Sequence, residues 1–343
     1  MVVGKEQGHR PSVLLVRLSS LGDIVQALPL AALLIREGHS VGWLVESRFA
    51  GLAALVDLPI EWHVWNRGWS STLGLRGLRG RYDVVCDVQG NWKSALCARA
   101  IAGRDAWRPA RANLREPWSA LIPSRHAVAT HAPHILDRSL TVLASALKEP
   151  MDADRLPGPP FLQVGQDLRV RVGSAIARWG VEPDQPFAVL VLGPDGDPRS
   201  WPLARVLELE GSLEVPHLLL CGPAESSLRL DPDLPVLRQQ AGQLADLVGL
   251  GNLLADTGGV ALGHDGGAMH VLRASGARTR FLFGPQDPAR TGPYREDVIR
   301  VSEPLPCQPC LRRTCKLREG NLCMDKIPAE VARREVEACL DIG

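Results

Sequence analysis

The 343-residue sequence contains no apolar run that approaches the roughly 18 uninterrupted residues of a membrane-spanning helix. Residues 1–11 lack the apolar core of a secretory signal. We therefore expect a cytoplasmic protein. The formal net charge is only +1, so no overall field attracts nucleic acid, and any attraction to an anionic partner must come from a local patch.

Two common nucleotide-binding motifs are also missing. The first predicted strand is followed by Ser19-Ser20-Leu21-Gly22-Asp23, which has neither the glycines of the dinucleotide fingerprint nor the lysine of the P-loop. The loop does offer a glycine for a tight turn, two hydroxyls, and the free N–H groups of a helix start, which favour an anion. Asp23 in the first helical turn is either a partner of the helix dipole or a general base, and the loop alone leaves both open.

Strands and helices are predicted to alternate along most of the chain, which indicates sheets that are mostly parallel. The predicted strands cover residues 12–18, 41–46, 60–65, 82–88, 187–192, 216–221, 259–263, 279–283 and 297–302. Prolines and glycines interrupt the pattern at 148–161, which indicates a domain boundary. We expect α/β domains at 1–160 and 161–327, and a final helix within 328–343 that packs back on the first domain. Ligands of two such domains bind in a cleft at the carboxyl ends of the strands.

Three segments that follow strands of the second domain carry polar residues. The turn Asp265-Gly266-Gly267 opens a helix whose backbone N–H groups can hold a diphosphate, and it brings Asp265 close to His270. The alternative is an N-cap aspartate and a packed histidine. Arg199 can bind phosphate oxygens through two N–H groups, and Glu225 can accept hydrogen bonds from ribose hydroxyls.

One stretch of the first domain is rich in arginine and is opposed only by Asp105 and Glu116. Its arginines are Arg99, Arg104, Arg108, Arg111, Arg115 and Arg125. Such a stretch is either a solvated surface or the rim of an anion-binding site.

The eight cysteines fall into two groups. Cys86, Cys97, Cys221 and Cys339 are scattered over predicted strands and helices, as inert buried thiols are in a reducing compartment. The other four are clustered: Cys307, Cys310, Cys315 and Cys323. A C-x-x-C pair followed by two more cysteines predicts either a structural metal site, for zinc or iron, or a set of reduced thiols.

Taken in order, several of these blocks resemble the signature blocks of glycosyltransferase family nine, whose best-known members are the ADP-heptose:lipopolysaccharide heptosyltransferases. The blocks are residues 17–23, 87–91, 201–202, 265–270, 283–285 and 291–293. The resemblance extends over nearly the whole chain. It implies a GT-B fold, in which two Rossmann-like α/β domains face a central cleft, with the acceptor bound mainly by the first domain and the sugar nucleotide mainly by the second.

The resemblance also implies roles for single residues. Asp23 is implied to be the general base of an inverting transfer that requires no cofactor. The implied donor contacts are Ser20, Gly22, Arg199, Glu225, Asp265, Gly266, Gly267 and His270. The implied acceptor contacts are Ser19, Asn91, Lys93 and Arg115. The family usually has lysine at position 199 and threonine or serine at position 266, so this chain departs from it at both.

The implied partners are ADP-heptose, a lipopolysaccharide-core glycolipid as acceptor, and the inner membrane, which the enzyme contacts peripherally; no nucleic acid is expected. Two alternatives stay open at this point. One keeps the fold and replaces the donor with a UDP-sugar or another donor. The other is a non-catalytic binding protein that a metal at the cysteines stabilises.

Overall fold

The structure, a computed structural model, describes residues 10–226, 228–238, 243–318 and 320–340. The chain forms two compact units, one made of 10–54 with Leu58–Gly158, the other of Leu55–Asp57 with the residues from Pro159 onward. Residues 1–9, which the sequence predicts not to belong to a secretory signal, lie outside the described residues. Within the described ranges, no helix is both long enough and apolar enough to cross a membrane.

Residues 55–57 belong to the second unit because they pair with its first described residues. The N–H of Asp57 donates to the Phe161 carbonyl at 2.9 Å, and the N–H of Gln163 donates to the Leu55 carbonyl at 2.8 Å. Val56 and Leu162 form an antiparallel bridge between these two bonds. The chain therefore passes between the units at three points.

The first unit is built on a parallel sheet with the strand order β3-β2-β1-β4-β5-β6. Its strands are β1 Val13–Val16, β2 Val41–Glu46, β3 Ile60–Trp65, β4 Val84–Asp87, β5 Trp107–Arg108 and β6 Arg125–His126. Its helices are α1 Leu21–Gln26, α2 Leu28–Arg36, α3 Trp69–Gly74, α4 Trp92–Ala102 and α5 Ile135–Leu147. β1 is buried along its whole length, as expected for a strand that helices cover on both faces.

The second unit has a parallel five-stranded sheet with the order β11-β10-β7-β8-β9. Its strands are β7 Ala188–Val191, β8 His217–Cys221, β9 Val236–Arg238, β10 Val260–His264 and β11 Arg278–Leu282. Its helices are α6 Gln166–Ala177, α7 Leu203–Glu210, α8 Leu244–Thr257, α9 Gly267–Ala274, α10 Pro288–Thr291, α11 Leu322–Asp325 and α12 Ala329–Cys339.

The last helix, α12, packs on the second unit, and its packing on the first domain stays a prediction. α12 contacts α7, β10 and β11. Ala332 and Val336 are fully buried in the same apolar cluster as Leu190 and Leu262 of the central strands. These side chains recur at helical spacing, so burying them against the nearest uncovered sheet face stabilises the helix where it stands.

The predicted strand at 297–302 is also not formed as a strand. Within the described part of this segment, pairing is limited to an isolated bridge between Ile299 and Leu282 at the edge of the sheet. Conversely, β5, β6 and β9 were not predicted, because strands of two or three residues are too short to show a period.

Candidate functional site

The site residues of each unit follow the strands at which the strand order reverses. In the first unit β1 lies between β2 and β4, and in the second β7 lies between β8 and β10. Ligands of open α/β sheets bind at this switch point, outside the carboxyl ends of the strands. The segments that follow β1 and β4 are therefore the candidate site of the first unit, and those that follow β7 and β10 are the candidate site of the second.

In the first unit, Asp23 is held by groups from three sides. Its Oδ2 accepts hydrogen bonds from the Ser20 N–H and hydroxyl, both at 3.0 Å. Its Oδ1 lies 2.9 Å from an Nη of the buried Arg17, and Nη1 of Arg115 lies 3.7 Å from Oδ2. The bond to the Ser20 N–H belongs to a capping box at the start of α1.

These neighbours decide the charge of Asp23. Burial alone would raise the pKa of the carboxyl, but Arg17, the hydrogen bonds from Ser20 and the charge of Arg115 outweigh it, and the pKa is lowered. Asp23 is therefore ionised at neutral pH. Arg17 was not predicted as a site residue; its signal is a charged side chain directly after a fully apolar strand.

A buried ion pair supports the segment that follows β4. Asp87 and Arg108 are both fully buried, with the arginine Nε 3.0 Å from Oδ2 of Asp87. Oδ1 of Asp87 accepts from the N–H groups of Gln89 and Gly90, and Arg108 donates twice to Ser119. Because every polar edge of the pair is bonded, the pair fixes the loop rigidly. It also removes Arg108 from the surface, so Arg108 cannot belong to an anion-binding rim.

The segment 89–91 links this ion pair to the Asp23 loop. Gln89 accepts from the Leu18 N–H at 2.7 Å and donates to the Ser19 hydroxyl at 3.3 Å. Gly90 has φ +74°, a conformation that favours glycine, and its carbonyl accepts from the Arg115 N–H at 3.1 Å. The structure therefore brings the predicted residues Ser19, Ser20, Asp23 and Arg115 together.

The other two predicted acceptor residues lie at the start of α4. The side chain of Asn91 accepts from the Ser94 N–H at 2.9 Å and caps the helix. Nζ of Lys93 lies 5.8 Å from the ring centroid of Trp92, and Trp92 stacks on Trp118 with centroids 6.2 Å apart. The two tryptophans are partly exposed, so this end of α4 offers an aromatic and cationic surface.

In the second unit, a pocket opens at the carboxyl ends of β7, β8 and β10. It is lined by residues at the ends of these strands and in the segments that follow them, among them Arg199, Glu225, His264, Gly266 and Gly267. Four of these five were predicted as donor contacts. His264 was not, although a histidine that ends an otherwise apolar strand is a usable signal.

Arg199 is oriented by Asp197, a residue that the sequence analysis did not single out. Its Nε and Nη2 donate to the two oxygens of Asp197 at 3.0 and 2.6 Å, and its Nη1 lies 3.4 Å from the Asp265 carbonyl oxygen. Asp197 therefore occupies the paired N–H groups that were expected to hold a phosphate. Nη1 is the part of the guanidinium that is directed toward Asp265.

Asp265 and His270 form the predicted pair. Nε2 of His270 lies 3.0 Å from Oδ1 of Asp265, and the Thr291 hydroxyl lies 3.4 Å from Oδ2. The His270 ring also packs on Phe281, with centroids 5.0 Å apart. Both members are fixed by neighbours, as residues that position a ligand must be.

Glu225 lies in the pocket wall in a short helical turn. Burial raises the pKa of its carboxyl, and backbone N–H groups of Gly222 and of Glu225 itself oppose the rise. A Cβ on Gly222 would lie 2.6 Å from Oε2 of Glu225, so a side chain at position 222 would displace the carboxylate from its present position. The carboxyl is therefore placed to accept hydrogen bonds within the pocket.

In the part of the chain that the structure describes, the four clustered cysteines do not form a group with the spacing of metal ligands. Among the described residues, the group of three or more ligand atoms within 4.8 Å of one another is Glu37, His39 and Glu149, whose carboxylates pair with Arg155 and Arg10. Burial raises the pKa of Cys323 to about 11, with smaller contributions from the other three thiols. The effect of the other three thiols on Cys323 shows that the four cysteines lie in one region.

A family model for glycosyltransferase family 9 (heptosyltransferase) matches residues 74–320. Lipopolysaccharide heptosyltransferase 1 of Pseudomonas aeruginosa is 28% identical, over 96% of this chain and 98% of that protein. The Salmonella typhimurium protein of the same name is 26% identical, over 85% of this chain and 94% of that protein.

Solved structures with this fold include E. coli ADP-heptose lps heptosyltransferase II, with a TM-score of 0.68 at 19% identity over 96% of this chain and 98% of that one. E. coli heptosyltransferase WaaC with ADP gives a TM-score of 0.62 at 19% identity, over 96% and 98%. The predicted fold class, GT-B with two parallel-sheet α/β domains, is confirmed.

Proposed function

Because the chain belongs to glycosyltransferase family 9, the heptosyltransferase family, and is therefore a glycosyltransferase, we propose that it moves a heptose from ADP-heptose to the inner core of lipopolysaccharide. The observation that carries this proposal is the likeness to the Pseudomonas protein along almost the whole length of both chains. The polar residues at both switch points support it, since they supply the groups that such a transfer requires.

On the donor side, the diphosphate is proposed to lie at the start of α9. Among the described residues, no side chain caps this eight-residue helix at Gly266, and Nη1 of Arg199 adds a positive charge nearby. Glu225 is proposed to bind the ribose. Asp265 and His270 are proposed to bind the sugar, and Ser20 and Gly22 of the first unit to reach the diphosphate.

On the acceptor side, Asp23 is proposed to be the general base. The acceptor hydroxyl oxygen forms a bond to the anomeric carbon, the bond from that carbon to the ADP oxygen breaks, and ADP leaves with the electron pair. Asp23 takes the hydroxyl proton, and the anomeric configuration inverts in this single displacement. Ser19, Asn91, Lys93 and Arg115 are proposed to hold the acceptor, which carries phosphates and acidic sugars.

The lowered pKa of Asp23 has two effects on this role. It keeps the carboxylate ionised and ready to accept a proton at neutral pH, but it also makes the carboxylate a weak base. We propose that the acceptor hydroxyl approaches Oδ1, because Oδ2 already accepts two hydrogen bonds from Ser20. Arg17 would then hold Oδ1 in position while leaving a lone pair for the proton.

The proposed reaction assigns its charge stabilisation to protein groups. Charge that develops on the departing diphosphate is stabilised by the start of α9 and by Arg199, with no step assigned to a metal. A metal at the clustered cysteines stays a prediction, and metal analysis of the purified protein tests it. Transfer that persists after treatment with a chelator would agree with the proposed chemistry.

Contact with the inner membrane is proposed as well, because the acceptor is a glycolipid. Trp92 and Trp118 form an exposed aromatic pair beside Lys93, and Leu121 is 85% exposed in the same short helical segment as Trp118. Such side chains suit the boundary between lipid headgroups and acyl chains. Sedimentation with vesicles that contain anionic lipid tests this, and loss of binding in Trp118→Ala is expected.

The decisive experiment incubates the protein with ADP-heptose and truncated lipopolysaccharide cores and measures the mass of the product. An added heptose is expected. Parallel thermal shifts with ADP, UDP and NAD identify the nucleotide, since only one that binds the folded protein raises the midpoint. A rise with UDP alone, and no heptose on any core, would overturn the proposed donor.

The role of Asp23 is tested by Asp23→Asn, which keeps the size of the side chain and its hydrogen-bond acceptor. Transfer is expected to fall by roughly 100-fold or more, in the range typical of a lost general base. Asp105→Asn is the matched control, because Asp105 forms a surface ion pair with Arg125 and has no proposed role. Equal rates in the two variants would refute the assignment.

A further inference from the structure

His264 is a buried histidine in the wall of the pocket of the second unit, and it takes no part in the reaction proposed above. It is the last residue of β10 and is 7% exposed. Burial, with a smaller effect from Arg199, lowers the pKa of His264 to about 4. The charged and titratable groups around it also include Asp197, Asp265 and His270. His264 is therefore a neutral side chain at neutral pH, and it can donate through only one of its two nitrogens.

The surroundings of the two nitrogens indicate which one carries the proton. In the described part of the chain, the buried Nδ1 has no hydrogen-bond partner. A buried N–H without an acceptor is rarer in proteins than a buried acceptor without a donor, so the proton is expected on Nε2. Nε2 is also the nitrogen that faces Gly266, because a Cβ built on Gly266 would lie 2.8 Å from it.

This contact places the imidazole at the start of α9. Gly266 is the N-cap residue of α9, a position at which a serine, threonine, aspartate or asparagine side chain usually binds the first N–H groups. Here the ring of His264 fills the space that a side chain at position 266 would need. Nε2 of His264 therefore lies beside the N-cap residue of α9.

From this geometry we propose that His264 is a donor-binding residue whose Nε2–H gives a hydrogen bond to the diphosphate held at the start of α9. The inference rests on the proposed function, since it places a nucleoside diphosphate in this pocket. His264 acts as a neutral donor beside the cation Arg199. Its ring occupies the space of a side chain at position 266. The imidazole therefore supplies the polar contact that a hydroxyl at that position would otherwise make.

Calorimetric titration of the full chain with ADP and with inorganic pyrophosphate tests the proposal. His264→Leu retains much of the bulk of the side chain but has no hydrogen-bond donor. The affinity of this variant for both ligands is expected to fall roughly 10- to 100-fold. His264→Gln can place an amide N–H near the position of Nε2 and is expected to restore most of the affinity. His217→Leu is the control, because His217 bonds to the Val215 carbonyl and does not line the pocket.

Two outcomes would overturn the proposal: a His264→Leu protein that binds both ligands as the wild type does, or a His264→Gln protein that loses as much affinity as His264→Leu. The glutamine variant is polar and of similar size, so it distinguishes loss of the hydrogen-bond donor from a general disturbance of the site. Melting temperatures without ligand show whether each variant is folded. Wild-type protein that binds pyrophosphate but not ADP would refute the proposed donor and leave the role of His264 standing. Binding of neither ligand would refute both.

Discussion

At the scale of single residues, the first unit places an acid of lowered pKa next to a buried arginine. Asp23 and Arg17 lie 2.9 Å apart, and the arginine also donates to the Val88 carbonyl at 2.8 Å. This second bond holds the guanidinium in place whether or not Asp23 is charged. The arginine therefore sets the range of pH in which Asp23 can accept a proton.

This arrangement predicts how activity depends on pH. Arg17→Met removes a charge that favours the carboxylate, so the pKa of Asp23 should rise and the acidic limb of kcat/KM should move to higher pH. Arg17→Lys keeps the charge and should shift the limb less. Rate profiles of the three proteins provide the measurement, and an unmoved acidic limb in a folded Arg17→Met protein would contradict the assignment of Asp23 as the base.

The sequence identified most of the site residues that follow the switch-point strands of each unit, but not the residues that orient them. Asp23, Arg199 and Asp265 stand in motifs that follow predicted strands, so their placement could be inferred from the order of elements. Arg17 and Asp197 act through side-chain directions, which a strand-and-helix pattern does not contain. His264 needed the additional knowledge that its ring approaches Gly266.

At the scale of elements, the pair of Asp87 and Arg108 ties the end of β4 to β5 and to Ser119. Arg108→Met would leave the carboxylate of Asp87 buried without its partner, and the free energy of unfolding should fall by about 3–5 kcal/mol. Arg125→Met removes an exposed ion pair with Asp105 and should have little effect. Denaturant titrations compare the two, and equal midpoints would show that the buried pair is not essential.

The position of α12 makes a second prediction at this scale. Val336 is fully buried and Val331 is 38% exposed on the same helix. Val336→Ala should lower the free energy of unfolding by about 2 kcal/mol, whereas Val331→Ala should leave it nearly unchanged. Denaturant unfolding of both variants is the measurement. Similar losses in both would mean that α12 is not anchored through its buried face.

The elements themselves were predictable to the extent that their side chains repeat. The apolar run of β1 and the boundaries of β2 and β3 follow from the sequence, because strands of four to six residues show their burial pattern. For α12, the sequence predicts the apolar face of the helix but not the surface on which this face packs. Several sheet faces were possible partners. Contacts distant in sequence decided that choice.

At the scale of the whole molecule, the second unit is proposed to bind most of the donor and the first unit to bind the acceptor. Hydrogen exchange of the full chain with and without ADP is expected to show protection in segments 193–201, 222–225 and 264–270 of the second unit, where the pocket lies. If Ser20 and Gly22 also contact the diphosphate, segment 17–23 should gain protection too. Protection confined to the first unit would contradict the proposed division.

Residues 55–57 limit how this enzyme can be recombined with its relatives. They lie within the stretch of chain that otherwise builds the first unit, yet they pair with 161–163 of the second. A chimera joined only at Gly158 would keep the three residues of one parent and the strand partner of the other. Exchange of the first unit between this chain and its relatives should therefore keep residues 55–57 with the second unit, which requires junctions at 54/55 and 57/58 in addition to the one at Gly158.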